Sequence, residues 1–149
     1  MSGIFPPTGK QDTQRLAAVS AADREYMLFC LEFCGAVLAR KPSHLEALSL
    51  AAGYYTELGY FADGLRVDRL LFNLRPDDPL ILYNLACSLS LNGSFDAAFS
   101  ALEKAVANGY SDYCHMQQDR DLLRLHNDPR FGNIIQAILD KTADASPRP

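Results

Sequence analysis

The sequence predicts an all-α fold, an α-α superhelix of antiparallel helix pairs closed by a short C-terminal helical cap. Three observations carry that expectation. Residue classes recur 34 positions apart: Pro42 and Pro76, Gly59 and Gly93, Phe61 and Phe95, Leu48 and Leu82, Ala52 and Ala86. A period of this length belongs to stacked helix-turn-helix units, each burying an apolar face against its neighbour. Helix-starting and helix-stopping residues fall at matching places in each repeat, and no stretch alternates apolar and polar residues as a half-buried strand would.

The elements follow in order. Residues 1–19 are polar, hold two prolines and two glycines, and are expected to be flexible or partly helical. Ser20 can cap a long helix through about Arg40, and Ser43 with Glu46 three positions on makes a capping box for a helix over 45–58. Gly59 ends that helix and a partner covers 61–74. Asp78 before Pro79 puts an N-cap in front of a proline at the first helical position and opens a helix over 79–92. Gly93 ends it, Ser94 caps 95–108, and Gly109 supplies a left-handed stop. Asp128 and Pro129 repeat the proline start for a last helix to about Asp140, and KTADASPRP over 141–149 reads as a disordered tail. The expected organisation is one domain over 20–140, divided into a half unit 20–44, full units 45–78 and 79–112, and a cap 113–140.

Composition narrows the function. With 149 residues, 48% of them apolar, the chain can bury a sizeable core in a single domain. A net charge of -4 without a run of Lys or Arg argues against nucleic acid as partner. No apolar leader and no segment of about eighteen uninterrupted apolar residues is visible, so no membrane insertion is expected and the cytoplasm is the expected location. Cys30, Cys34, Cys87 and Cys114 then read as reduced thiols.

The unit 79–112 carries Leu82, Leu85, Ala86, Leu89, Gly93, Phe95, Ala98, Leu102, Ala105 and Val106; the unit 45–78 carries Leu48, Ala51, Ala52, Tyr55, Gly59, Phe61, Leu71 and Pro76. Small Ala and Gly let paired helices approach while Leu, Tyr and Phe fill the space between them. In this register both units resemble the tetratricopeptide repeat (TPR) family, and residues 23–44 look like the second helix of an earlier unit that closes at Pro42. Tyr83–Cys87, Leu102–Val106, Gly109-Tyr110, Asp119–Leu122, Leu125 and Asp128–Phe131 resemble the closing segment of many bacterial arrays of that family.

The resemblance implies a non-catalytic protein-protein interaction module, adaptor or chaperone-like, holding a peptide or helix of a partner in a concave groove. Carried over by position, that groove is lined by Glu46, Ser49, Gly53, Thr56 and Glu57, then by Leu80, Tyr83, Asn84, Cys87, Ser90 and Leu91. Tyr83 and Asn84 offer stacking and amide hydrogen bonds to a peptide, unless Asn84 merely ties adjacent helices. Ser49 and Gly53 stand where a clamp for a chaperone's terminal carboxylate needs lysine and asparagine, so that clamp is not expected. The chain also resembles, in length, the small array chaperones of secretion-apparatus subunits, which is a more specific alternative.

Two departures stand out. Gly64 and Asp68 occupy places where the family usually has alanine and a large apolar residue. Either the helix over 61–74 is rotated to present Val67, Leu70, Leu71 and Leu74, or Asp68 is partly buried against Arg66, Arg69 or a tyrosine hydroxyl. The first helix is apolar almost all round, from Tyr26, Met27, Leu28, Phe29 and Cys30 through Phe33, Cys34 and Val37. A helix at the end of an array needs a polar outer face. Its second face must be covered by residues 13–19 folding back, by a second subunit, or by a client. The alternative function is therefore a self-associating assembly scaffold, a homodimer through Tyr26, Phe29, Phe33 and Val37.

Catalytic motifs are missing from the sequence. Cys30 and Cys34 share a helical face but sit at packing positions, and zinc sites normally need four ligands. Cys114 and His115 are adjacent, hence about 100° apart around a helix, which does not make a thiol-imidazole pair. Asp119, Asp121 and Asp128 are explained as helix caps. No enzyme activity, cofactor or metal is expected.

Overall fold

The computed structural model describes residues 5–145. Among them every regular element is helical, and helices that follow one another pack into antiparallel hairpins, as in a helical repeat. The chain divides between Arg75 and Pro76 into two compact units.

The first unit holds α1 (Thr13–Ala17), α2 (Ala21–Arg40), α3 (Leu45–Glu57) and α4 (Phe61–Leu74). Ser20 caps α2 by accepting the Asp23 N–H. The start of α3 differs from the capping-box expectation: His44, not Ser43, is the N-cap, and its Nδ1 accepts the Ala47 N–H at 3.3 Å. The α3–α4 corner is made by Gly59 at φ 82, with Tyr60 N–H reaching back to the Tyr55 carbonyl. That left-handed residue with a bond five positions back is the Schellman stop. The core consists of Leu31, Cys34 and Leu38 from α2, Leu48, Ala51, Ala52 and Tyr55 from α3, and Val67 and Leu71 from α4.

One of the two departures in α4 now has a cause. A methyl at Gly64 would stand 2.9 Å from Thr56 Oγ1, so glycine there permits the close approach of α4 to α3. Asp68 is 4% exposed while Leu70 and Leu74 are each 41% exposed; the helix is not turned to bury those two leucines. Asp63 is buried as well, which the sequence did not announce.

The second unit holds α5 (Pro79–Leu91), α6 (Phe95–Ala107), α7 (Tyr113–Gln118), a 3-10 helix (Arg120–Leu125) and α8 (Pro129–Asp144). Asp78 accepts the N–H groups of Leu80 and Ile81 in front of Pro79, and Asp128 accepts that of Arg130 behind Pro129. Gly93 (φ 78) and Gly109 (φ 109) repeat the stop seen at Gly59, with Ser94 bonded to Leu89 and Tyr110 to Ala105. Ser94 makes no side-chain cap bond. Leu82, Ala86, Leu102 and Ala105 interlock along the α5–α6 hairpin, and Met116, Leu122 and Leu125 from the shorter elements, with Ile138 from α8, close over it. Burial of each such leucine contributes about 1.5–3 kcal/mol. Helix α8 continues through Asp144, so 141–144 belongs to it rather than to a tail, while 146–149 lies outside the described residues.

Candidate interaction surface

In the second unit the groove residues expected from the resemblance part company. Tyr83 and Cys87 lie on the α5 face that the 3-10 helix covers. The Tyr83 hydroxyl donates to Asp119 Oδ2 at 2.7 Å, its ring stacks on Tyr110 with centroids 4.3 Å apart, and the Cys87 thiol points at the same carboxylate oxygen at 3.6 Å. His115 Nε2 approaches that oxygen to 3.4 Å, while Asp119 Oδ1 accepts the Asp121 N–H that starts the 3-10 helix. One carboxylate thus caps the 3-10 helix and anchors it to α5. Burial, with Cys87 and Asp119 beside it, raises the Tyr83 pKa far above its ordinary value, and burial likewise pushes the Cys87 thiol up. Both groups stay protonated donors.

Tyr83, Cys87 and Ser90 thus belong to the interior and not to a groove: Ser90 is fully buried, and the closing segment occupies the face that Tyr83 and Cys87 were expected to offer a peptide. Leu80 and Asn84 are exposed and Leu91 is half-buried. In the first unit Glu46, Ser49 and Gly53 are exposed along α3 and Gly53 faces open space, whereas Thr56 and Glu57 are half-buried near the α3–α4 corner.

That corner is occupied by the N-terminal segment. Asp12 N–H donates to the Gly59 carbonyl at 2.8 Å, and Gln11 Nε2 donates to the Leu58 carbonyl. Asp63 Oδ2 accepts the Gly9 N–H at 2.8 Å, and its Oδ1 accepts the Thr8 N–H, the Thr8 hydroxyl and Arg66. Arg15 lies over the Phe61 ring and 3.9 Å from Glu57. Burial acts to raise the Asp63 pKa, but the bonds from Gly9, Thr8 and Arg66 outweigh it and hold the carboxyl below its ordinary value. Residues 8–15 form a strap fastened to the corner.

The strap leaves the outer face of α2 open. Tyr26, Phe29 and Phe33 are 61%, 66% and 64% exposed, while Leu31, Cys34 and Leu38 on the opposite side are buried and Val37 is half-buried. Residues 13–19 do not fold back over this face: Arg15 of α1 sits by Phe61 and Glu57. All-round apolarity in the sequence was the signal that found Tyr26, Phe29 and Phe33. Nothing local could have found Asp63 or Asp119, whose partners lie 54 and 36 positions away.

Other features are self-contained. A cavity of about 250 Å³ in the second unit is lined by Phe95, Phe99, Arg124 and Arg130, with Asp96 and Asp128. Arg130 lies over Phe99 and is bonded to both aspartates, so its charge is paired within the chain at the surface. No three His, Cys, Asp or Glu side chains are placed to hold a metal ion among the described residues, and no helix there is long and apolar enough to cross a membrane.

Compared with known proteins, the chain matches no family model and no curated sequence. The likeness to tetratricopeptide repeats therefore rests on the residues themselves.

Proposed function

We propose that this chain is a non-catalytic protein-binding scaffold of the tetratricopeptide type, adaptor or chaperone-like, which binds polypeptide through the outer stripe of α2. The observation that carries the reading is the exposure of Tyr26, Phe29 and Phe33 on one helix face while the strap is fastened elsewhere. Aromatic side chains dominate binding energy where they are desolvated, and a patch of this kind marks an interaction site. The four free cysteines support a reducing, cytoplasmic setting.

The test is selection of a displayed library of amphipathic helices against the wild-type protein and against Phe29→Glu. Helices that bind the first and not the second support the reading; no selectable helix, with no self-association through this face, removes it. A second reading keeps peptide binding on the exposed side of α3, favoured by the open space at Gly53. Helices that survive Phe29→Glu and are lost in Gly53→Arg would favour it instead.

A further inference from the structure

Ala22, Tyr26, Phe29, Phe33, Ala36 and Arg40 are all exposed on α2 and follow one another at alternating spacings of four and three. That is the spacing of a coiled-coil seam. We infer that the occupant of this seam is α2 of a second copy of the chain, laid antiparallel about a two-fold axis near Leu31. The inference rests on the reading of α2 as a polypeptide-binding face and names what binds there.

Direction is decided by size and charge. Antiparallel, Tyr26 meets Ala36 of the second copy, Phe29 meets Phe33, and Ala22 meets Arg40, so a large side chain faces a small one at both flanks of a central aromatic pair. Parallel pairing would set Tyr26, Phe29 and Phe33 against themselves and leave Ala36 facing Ala36. The acidic residues Asp23 and Glu25 stand at the start of α2, with half-buried Arg24 between them, and Arg40 and Lys41 stand at its end. The antiparallel arrangement brings each acidic start beside the other copy's basic end, twice over by symmetry, and opposes the two helix dipoles favourably. Parallel pairing sets like charge beside like. Glu32 is the one charge on this side that approaches its own copy, at the exposed rim where water and salt screen it.

Sedimentation equilibrium of the full chain at micromolar concentrations tests the inference. The wild type is expected to be a dimer. Phe29→Glu weakens it by at least roughly thirtyfold, as for a central interface aromatic, with an unchanged helical circular dichroism signal because Phe29 is exposed. Glu25→Lys and Arg40→Glu each weaken it about tenfold, and the double variant restores it to within about threefold. A monomeric wild type overturns the inference, as does a dimer indifferent to Phe29→Glu. A dimer broken by Phe29→Glu but unmoved by either charge reversal overturns the antiparallel arrangement. A monomer that still selects library helices through Phe29 sinks this inference alone; a monomer that selects none sinks the binding reading with it.

Discussion

The α3–α4 and α5–α6 hairpins are built on one template yet end in different company. Each has small residues at the crossing, a Schellman stop at its corner, and the same leucine and alanine positions buried. In the second unit the neighbouring face of α5 is sealed by the 3-10 helix through Asp119, Tyr83 and Cys87. In the first, chain from the N-terminal side is fastened to the corner through Asp63, and the outer face of α2 stays open. The repeat pattern therefore builds the hairpins, while the segments outside it determine which apolar face is closed and which is left for binding.

Asp119→Ala undoes the seal of the second unit. It removes the cap of the 3-10 helix and leaves the buried Tyr83 hydroxyl without its acceptor, and a cost of about 3 kcal/mol is expected in urea unfolding. Tyr83→Phe, which removes only the donor, is expected to cost about 1 kcal/mol.

The two corner glycines come next. Gly59 and Gly93 share the left-handed backbone, but a methyl at Gly59 would run into the Asp12 carbonyl whereas one at Gly93 meets nothing within 4 Å. Gly93→Ala should cost about 1 kcal/mol for the backbone alone. Gly59→Ala should cost about 2–3 kcal/mol and speed hydrogen exchange at the Thr8, Gly9 and Asp12 amides, because the strap must shift. Equal costs in thermal unfolding would mean that the strap contributes nothing to the first unit.

Asp63 makes the strap sensitive to pH. Its folded pKa lies below its ordinary value of 3.8, so the stability it contributes is present above that value and is lost as pH falls through the folded one. Protection of the Thr8 and Gly9 amides against exchange should fall in that acid range, and Asp63→Asn should remove the pH step. The smallest expected effect is favourable: Gly53→Ala, in the interior of α3 with open space around it, should stabilise the first unit by about 0.5–1 kcal/mol. Thiol labelling supplies a check on chemistry: the exposed Cys114 should react readily, and the buried, protonated Cys87 only on unfolding.

The candidate site was half legible in the sequence. Tyr26, Phe29 and Phe33 could be read because a helix that is apolar on every side cannot be satisfied by one neighbour. Tyr83 and Cys87 read as groove residues because the resemblance carries the family's concave face onto their positions. The residue that does so, Asp119, looked in the sequence like an ordinary helix cap, and it is one; its second oxygen does the anchoring.

By itself the sequence determined where helices start and stop and which faces are buried within each hairpin. Ser20, Asp78, Asp128, Gly59, Gly93 and Gly109 act on bonds within a turn of themselves, so their effect depends only on near neighbours. The tertiary structure alone decided the path of the strap, the burial of Asp63 and the inward turn of Tyr83. Those outcomes depend on carboxylates finding donors 36 to 55 residues away. A contact of that separation forms only once the hairpins have packed and excluded water, and residues adjacent in sequence carry no record of it.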